Sequence, residues 1–260
     1  MSVLDRFRLD GKRALVTGAS RGLGREMALG LASAGADVAV VARPSAELDA
    51  TADAIRALGR TVWTFEGDVG VPETAEDIAA RALTEAGGID ILINNVGGRR
   101  ESIPVEDVAL DDWRRLMDLN LTSAVACTKV IGGAMIKAGR GGRIINIASV
   151  NAMIAGKGIN GRHYEAAKAG LVQFTRAVAV DWAPHAITAN AICPGLFMTE
   201  PNQRWEREKP EVIENVVSMI PLGHAGAPED LGPLAVYLAS DASRFMTGAT
   251  LVIDGGSTCW

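Results

Sequence analysis

Tyr164 and Lys168 are the residues most able to do chemistry together. They lie in His163-Tyr164-Glu165-Ala166-Ala167-Lys168, which opens an apolar helical pattern running to Trp182. Residues four apart share one face of a helix. A phenol titrates near ~10 and is a weak acid–base group at neutral pH. A nearby ammonium favours the phenolate, and bringing it to neutrality takes roughly 4 kcal/mol of differential interaction. The functional reading is an activated tyrosine–lysine pair. Taken alone, the stretch also describes an ordinary helix start with a surface lysine, so the rest of the chain has to decide.

A second chemical element is the turn Thr17-Gly18-Ala19-Ser20-Arg21-Gly22-Leu23-Gly24. It separates an apolar strand-like run, Arg13 to Thr17, from a helical pattern over Arg25 to Ala34. Glycines let a backbone approach a pyrophosphate, and a helix N-terminus presents free amides to it. The spacing of Gly18, Gly22 and Gly24 is not the commoner G-x-G-x-x-G, but the strand–turn–helix setting is where dinucleotides bind. At the end of the second strand an acid would bond the adenosine ribose, whereas an arginine accommodates a 2′-phosphate. Ala42 and Arg43 stand there, and Arg21 is a second candidate cation. A unit-charge pair at ~4 Å is worth about 4 kcal/mol at an effective dielectric of ~20, before desolvation. NADP is therefore the preferred cofactor and NAD the alternative.

These groups need a scaffold to position them. Apolar runs at Arg13–Thr17, Asp37–Ala42, Thr61–Glu66, Ile89–Asn94, Arg143–Ile147, Ile187–Ile192 and Thr250–Ile253 read as strands. Helical patterns alternate with them: Arg25–Ala34, a helix capped by Ser45 running to Leu58, Pro72–Ala86, Asp111–Met135 and Tyr164–Trp182. Regular alternation with doubly apolar strands implies an α/β fold, a doubly wound, seven-stranded parallel sheet with helices on both faces. No linker or repeat interrupts it, so residues 1–260 are expected to form a single Rossmann-type domain. The charged, proline-bearing stretch Leu196–Gly226 breaks the rhythm. It reads either as an insertion covering a ligand or as a solvated helix hairpin.

Composition narrows the function classes. The 260 residues are 48% hydrophobic with a net charge of -5, which argues against a general nucleic-acid or membrane-surface binder. Cys127, Cys193 and Cys259 are far apart and form neither a metal site nor a disulfide framework, as expected in a reducing cytoplasm. The start MSVLDRFRLDGKR is too polar for a signal peptide, and no apolar run is expected to reach membrane length.

In order along the chain, these motifs make it resemble the short-chain dehydrogenase/reductase family over nearly its whole length. They are TGASRGLG at Thr17–Gly24, GDV at Gly67–Val69, NNVG at Asn94–Gly97, Asn120 in LNLTSA and Ser149 in INIAS. YEAAK at Tyr164–Lys168, PGLFMT at Pro194–Thr199 and the closing TG…VIDGG at Thr247–Gly256 complete them. The resemblance implies a nicotinamide cofactor, a small carbonyl or alcohol substrate and a homotetramer. It implies that Asp68 bonds the adenine and Val69 holds it through the backbone, and that Asn95, Val96 and Gly97 line the ribose and diphosphate path. Pro194, Gly195, Phe197 and Thr199 would meet the carboxamide end. Tyr164 would be the proton donor or acceptor. Lys168 would bond the nicotinamide ribose and depress the tyrosine's titration, Ser149 would hold the substrate carbonyl, and Asn120 would hold a water linking Lys168 to solvent. Locally, Ser149 could instead cap a turn, and Asn120 could be a locally bonded helix residue.

Two departures stand out. NNVG replaces the family's usual NNAG. Ser149 and Tyr164 are fifteen positions apart, slightly more than usual, which places extra chain in Asn151–Arg162 beside the reacting centre. Arg99, Arg100, Lys157, Arg162, His163, Arg204 and Arg207 could form a basic rim for an anionic substrate, or be scattered surface charge. NLTSA, GGRIINIAS and PLGHAGAPEDL resemble members of the gluconate 5-dehydrogenase and 3-oxoacyl-carrier-protein reductase types. A sugar acid or other polyol, or a 3-oxoacyl thioester, is the expected substrate. A non-catalytic NADP-binding sensor is the alternative of another class.

Overall fold

The computed structural model describes residues 2–99, 102–156 and 160–259. Seven strands form one parallel sheet in the order β3-β2-β1-β4-β5-β6-β7. They are β1 Arg13–Thr17, β2 Asp37–Ala42, β3 Val62–Glu66, β4 Ile91–Asn94, β5 Gly142–Ile147, β6 Ile187–Pro194 and β7 Thr250–Ile253. The strands are apolar throughout because both faces are covered. Ala14 and Val16 point into the layer with α1 (Gly22–Ser33), α2 (Ala46–Ala57) and α9 (Leu231–Ala239). Leu15, between them, points into the layer with α3 (Pro72–Ala86), α5 (Ser123–Ala138) and α6 (Arg162–Trp182). That is the period-two alternation of a strand with two apolar faces.

The expected strand positions agree within one or two residues, and the differences have local reasons. Helix α1 begins at Gly22 rather than Arg25, because the glycine-rich turn itself forms the first helical turn. Ser45 caps α2 as expected, its Oγ accepting from the Leu48 amide at 3.3 Å. α9 has no counterpart among the expected helices. Gly232 and Pro233 make its start look like a loop, yet Gly232 is what lets it approach Gly30 of α1. The stretch expected as one helix over Asp111–Met135 is α4 (Leu110–Met117), a π-helical turn at Asp118–Thr122, and α5. This helical stretch is 29 residues long and apolar enough to cross a membrane, against the expectation that no run reaches that length. Half of its apolar window is buried inside the protein, as in a core helix.

A buried polar chain fixes α5 and α6 on the sheet. Asn94 Nδ2 donates to Asn146 Oδ1 at 2.8 Å and to Thr128 Oγ1 at 3.0 Å. Asn146 Nδ2 donates to Thr175 Oγ1 at 2.8 Å. The donors of both asparagines are thereby satisfied in the core, while Asn94 Oδ1 has no partner among the described residues. The insertion folds as two short helices, α7 (Glu200–Glu208) and α8 (Pro210–Ser218). β1 and β4 are neighbours while β2 and β3 lie to one side. The strand order therefore reverses at the carboxyl ends of β1 and β4, where ligands bind in open α/β sheets.

Candidate active site

The two loops at this switch point interlock. Thr17 Oγ1 accepts from the Asn95 and Val96 amides at 3.0 and 3.3 Å. Asn95 Nδ2 donates back to the Thr17 and Gly18 carbonyls at 3.0 and 3.1 Å. Gly24 must be glycine here, since a β-carbon would collide with the Gly18 carbonyl and the Asn95 amide. The turn thus stays close to β4 and leaves the first amides of α1 facing a cleft.

That cleft has a volume of about 950 Å³ and runs from Ala42 and Arg43 to Pro194 and Gly195. Gly18, Ser20, Arg21, Gly22, Leu23, Gly24, Arg43, Asp68, Val69, Asn95, Val96, Gly97, Pro194, Gly195 and Thr199 all line it, as do Ser149, Tyr164 and Lys168. Pro44, Ser45, Glu47, Leu119 and Pro201 complete this wall, and no motif in the sequence points to them. Nothing in their spacing marks them for a cleft; the chain path brings them there.

At the far end, Ser149 follows β5 with an extended backbone, and its Oγ accepts from the Asn151 amide at 3.1 Å. It caps a turn and lines the cleft at once. Tyr164 sits in the first turn of α6, half-buried, and Lys168 lies one turn further on at only 2% exposure. Lys168 Nζ donates to the Ile147 carbonyl at 2.8 Å and is 6.0 Å from the Tyr164 ring centre. Gly97 is a second place that requires glycine. A β-carbon there would stand 2.7 Å from Asn120 Oδ1 and 2.8 Å from Lys168 Nζ.

Asn120 is buried in the π-helical turn, a feature frequent at functional sites. Its Nδ2 donates to the Gly98 and Leu116 carbonyls at 3.1 and 3.0 Å, and its Oδ1 accepts from the Gly98 amide at 2.8 Å. The side chain therefore clamps the Gly97–Gly98 backbone and does not itself reach the cleft wall. Phe197 does not reach it either. Its side chain is 3% exposed in the core and packs against Gly226, opposite the expectation that it meets the cofactor.

The electrostatics also differ from the simple pair. Burial pushes the Tyr164 phenol up; a hydrogen bond from Ser149 and the Arg99 charge oppose this, and Glu165 and Cys193 add to it. Burial lowers Lys168 itself to about 8, so desolvation dominates at both residues.

The expected basic rim is only partly assembled. Arg99 and Arg162 both bond Glu165, at 3.0 and 3.1 Å. Arg204 pairs with Glu208 at 2.7 Å, and Arg207 is exposed on α7. His163 is not on a rim: it is 1% exposed, with its ring 6.3 Å from that of Trp113. Arg100 and Lys157 lie outside the described residues. Of the two cations proposed for a 2′-phosphate, Arg21 is paired with Glu200 at 2.8 Å. Arg43 is exposed, with no ion-pair partner among the described residues.

A family model described as enoyl-(acyl carrier protein) reductase matches residues 18–258. A short-chain type dehydrogenase/reductase from Mycobacterium marinum is 40% identical, with all of both chains covered and a TM-score of 0.90. The chain belongs to the short-chain dehydrogenase/reductase family and is an NAD(P)-dependent oxidoreductase. Among its relatives, gluconate 5-dehydrogenase of Gluconobacter oxydans is 38% identical over 99% of each chain. A 3-oxoacyl (acyl-carrier-protein) reductase from Agrobacterium tumefaciens, solved with NADP bound, is 30% identical over 98% of this chain and 97% of that one, with a TM-score of 0.91.

Proposed function

We propose that the protein transfers a hydride between NADP(H) and a carbonyl or secondary alcohol of a sugar acid or other polyol, with Tyr164 moving the proton. The observation that carries this is the meeting of Ser149, Tyr164 and Lys168 on the wall of the same cleft as the glycine-rich turn. A dinucleotide fits the residues present: the cleft has the volume, α1 opens with free amides, and Gly18 and Gly24 let the turn pack against Asn95 at the cleft wall. In this reading the turn from Gly18 to Gly24 holds the diphosphate. Asp68 and Val69 hold the adenine end, and Asn95, Val96 and Gly97 line the middle. Pro194, Gly195 and Thr199 meet the carboxamide end. When bound, the nicotinamide supplies or accepts the hydride.

The chain's own residues handle the oxygen. The Tyr164 hydroxyl gives its proton to the substrate oxygen in reduction and takes it back in oxidation, while the Ser149 hydroxyl donates a hydrogen bond to the same oxygen. Lys168, titrating near 8, can exchange a proton close to neutrality. Asn120 keeps the Gly97–Gly98 turn against it. We read Arg43 as the residue favouring NADP, since Ala42 supplies no acid and Arg21 is held by Glu200; NAD is the alternative.

Pairing of Arg99 and Arg162 with Glu165 supports a hydroxyl-rich substrate over a multiply anionic one. The alternative, a 3-oxoacyl thioester, is supported by the Agrobacterium neighbour. A sensor that binds NADP without chemistry would have no use for the tyrosine–lysine pair. One domain over 1–260, with Leu196–Gly226 covering the substrate, belongs to the same proposal, as do a homotetramer and a cytoplasmic setting. The last is supported by three free cysteines.

The test is absorbance at 340 nm with NADPH and NADH against keto acids, keto sugars and 3-oxoacyl thioesters. Tyr164→Phe should keep cofactor binding and lose turnover. Near-normal turnover in that variant would sink the assignment, and strict NADH dependence would refute the reading of Arg43.

A further inference from the structure

The Tyr164 ring carries a second cation that the tyrosine–lysine pairing does not account for. Arg99 follows the Gly97–Gly98 turn, whose backbone Asn120 clamps from both sides. Its guanidinium carbon stands 4.8 Å from the centre of the Tyr164 ring, nearer than Lys168 Nζ at 6.0 Å. The same guanidinium forks onto Glu165, with contacts of 3.0 and 3.3 Å to the two carboxylate oxygens. It also donates to the Asn160 and Gly161 carbonyls at 2.7 and 3.1 Å. One side chain thus joins the loop after β4, the last residues before α6, and the first turn of α6 that carries Tyr164. The Arg99 and Glu165 side chains are only 22% and 13% exposed, so water screens them weakly.

We propose that Arg99 is a positioning residue for Tyr164, its guanidinium setting the charge against the phenol ring while its fork onto Glu165 and the Asn160–Gly161 carbonyls fixes the turn that carries that ring. This rests on the reading of Tyr164 as the proton-transfer residue. Arginine is required because only a planar fork meets a carboxylate and two carbonyls while stacking on an aromatic face; lysine supplies the charge alone. Among the described residues, the charged and titratable groups facing Tyr164 are Arg99 from the β4 loop, Glu165 and Lys168 from α6, and Cys193 from β6. Arg162 acts on Glu165 from the side, at 3.1 Å. Burial pushes the Cys193 thiol up, so it is neutral at pH 7. Arg99 and Glu165 oppose each other at the ring, and removing one leaves the other uncompensated.

The chain has two tyrosines, so protein labelled with 13C at the tyrosine Cζ gives two signals, and Tyr164→Phe identifies the one of interest. Its titration is followed by NMR, without substrate, in wild type, Arg99→Gln, Arg99→Lys, Glu165→Gln and the Arg99→Gln/Glu165→Gln double variant. Loss of the cation in Arg99→Gln should move the midpoint to higher pH. At the wild-type midpoint the ionised fraction should fall at least about two-fold. Glu165→Gln should move it the other way, and the double variant should stay near wild type; Arg99→Lys keeps the charge but not the fork, so its midpoint should fall between those of wild type and Arg99→Gln. An unmoved midpoint in Arg99→Gln, or shifts of the same sign in both single variants, would overturn the proposal. Should Arg99→Gln fail to fold, Glu165→Gln decides alone: a midpoint that does not fall refutes the proposal. A catalytically competent Tyr164→Phe would remove the assigned role of Tyr164 yet leave these titrations as they are, so the two failures are distinguishable.

Discussion

The buried ammonium of Lys168 should leave a signature in stability against pH. Lys168 is 2% exposed and donates one hydrogen bond, to the Ile147 carbonyl at 2.8 Å. Burial lowers it from 10.5 to about 8, which is about 3 kcal/mol at ~1.4 kcal/mol per tenfold change in proton affinity. Below pH 8 both folded and unfolded chains hold the proton, and the full cost of burying the charge is present. Between about 8 and 10.5 the unfolded chain still holds a proton that the folded one has released, so this residue makes stability rise with pH. Lys168→Met removes that cost but leaves the Ile147 carbonyl without its partner, a loss of about 1 kcal/mol. The variant should be more stable than wild type by about 2 kcal/mol at pH 7 and less stable by about 1 kcal/mol at pH 10.5. Urea unfolding followed by tryptophan fluorescence across this range measures the difference directly. A gap of constant sign and size from pH 7 to 10.5 would refute the argument.

Three further outcomes follow from the geometry. Gly97→Ala, which pushes a methyl against Asn120 Oδ1 and Lys168 Nζ, should cut turnover at least about 100-fold while lowering stability by only about 1–3 kcal/mol; thermal unfolding beside the 340 nm assay separates the two. Asn146→Ala leaves the Asn94 amide and the Thr175 hydroxyl short of a partner and should cost about 2–4 kcal/mol in urea unfolding. Arg43→Ala should reduce the preference for NADPH over NADH roughly five- to ten-fold at low salt, and less in high salt, because the residue is exposed; fluorescence titration of both cofactors checks it.

Much of the scaffold was legible along the chain because its causes are local. β1, β2, β7 and α3 match their expected bounds, since a doubly buried strand must be apolar and the proline opening α3 is tolerated only in a helix's first turn. The glycines at 18, 22 and 24 and the four-residue step from Tyr164 to Lys168 were visible for the same reason: turn and helix geometry act over a few residues. What those groups touch was not visible. His163 and Tyr164 are adjacent, yet one helical step of about 100° sends the first against Trp113 and the second to the cleft. Phe197 sits in a motif at the cofactor end, but its side chain fills space over Gly226 in the core. Arg99 looked like one of several rim charges until the fold set Glu165 and the Tyr164 ring beside it. Neither the rise of the Tyr164 phenol nor the fall of Lys168 to about 8 can be read from residue type. Burial and charge pairing depend on which distant segments meet, and only the folded chain decides that.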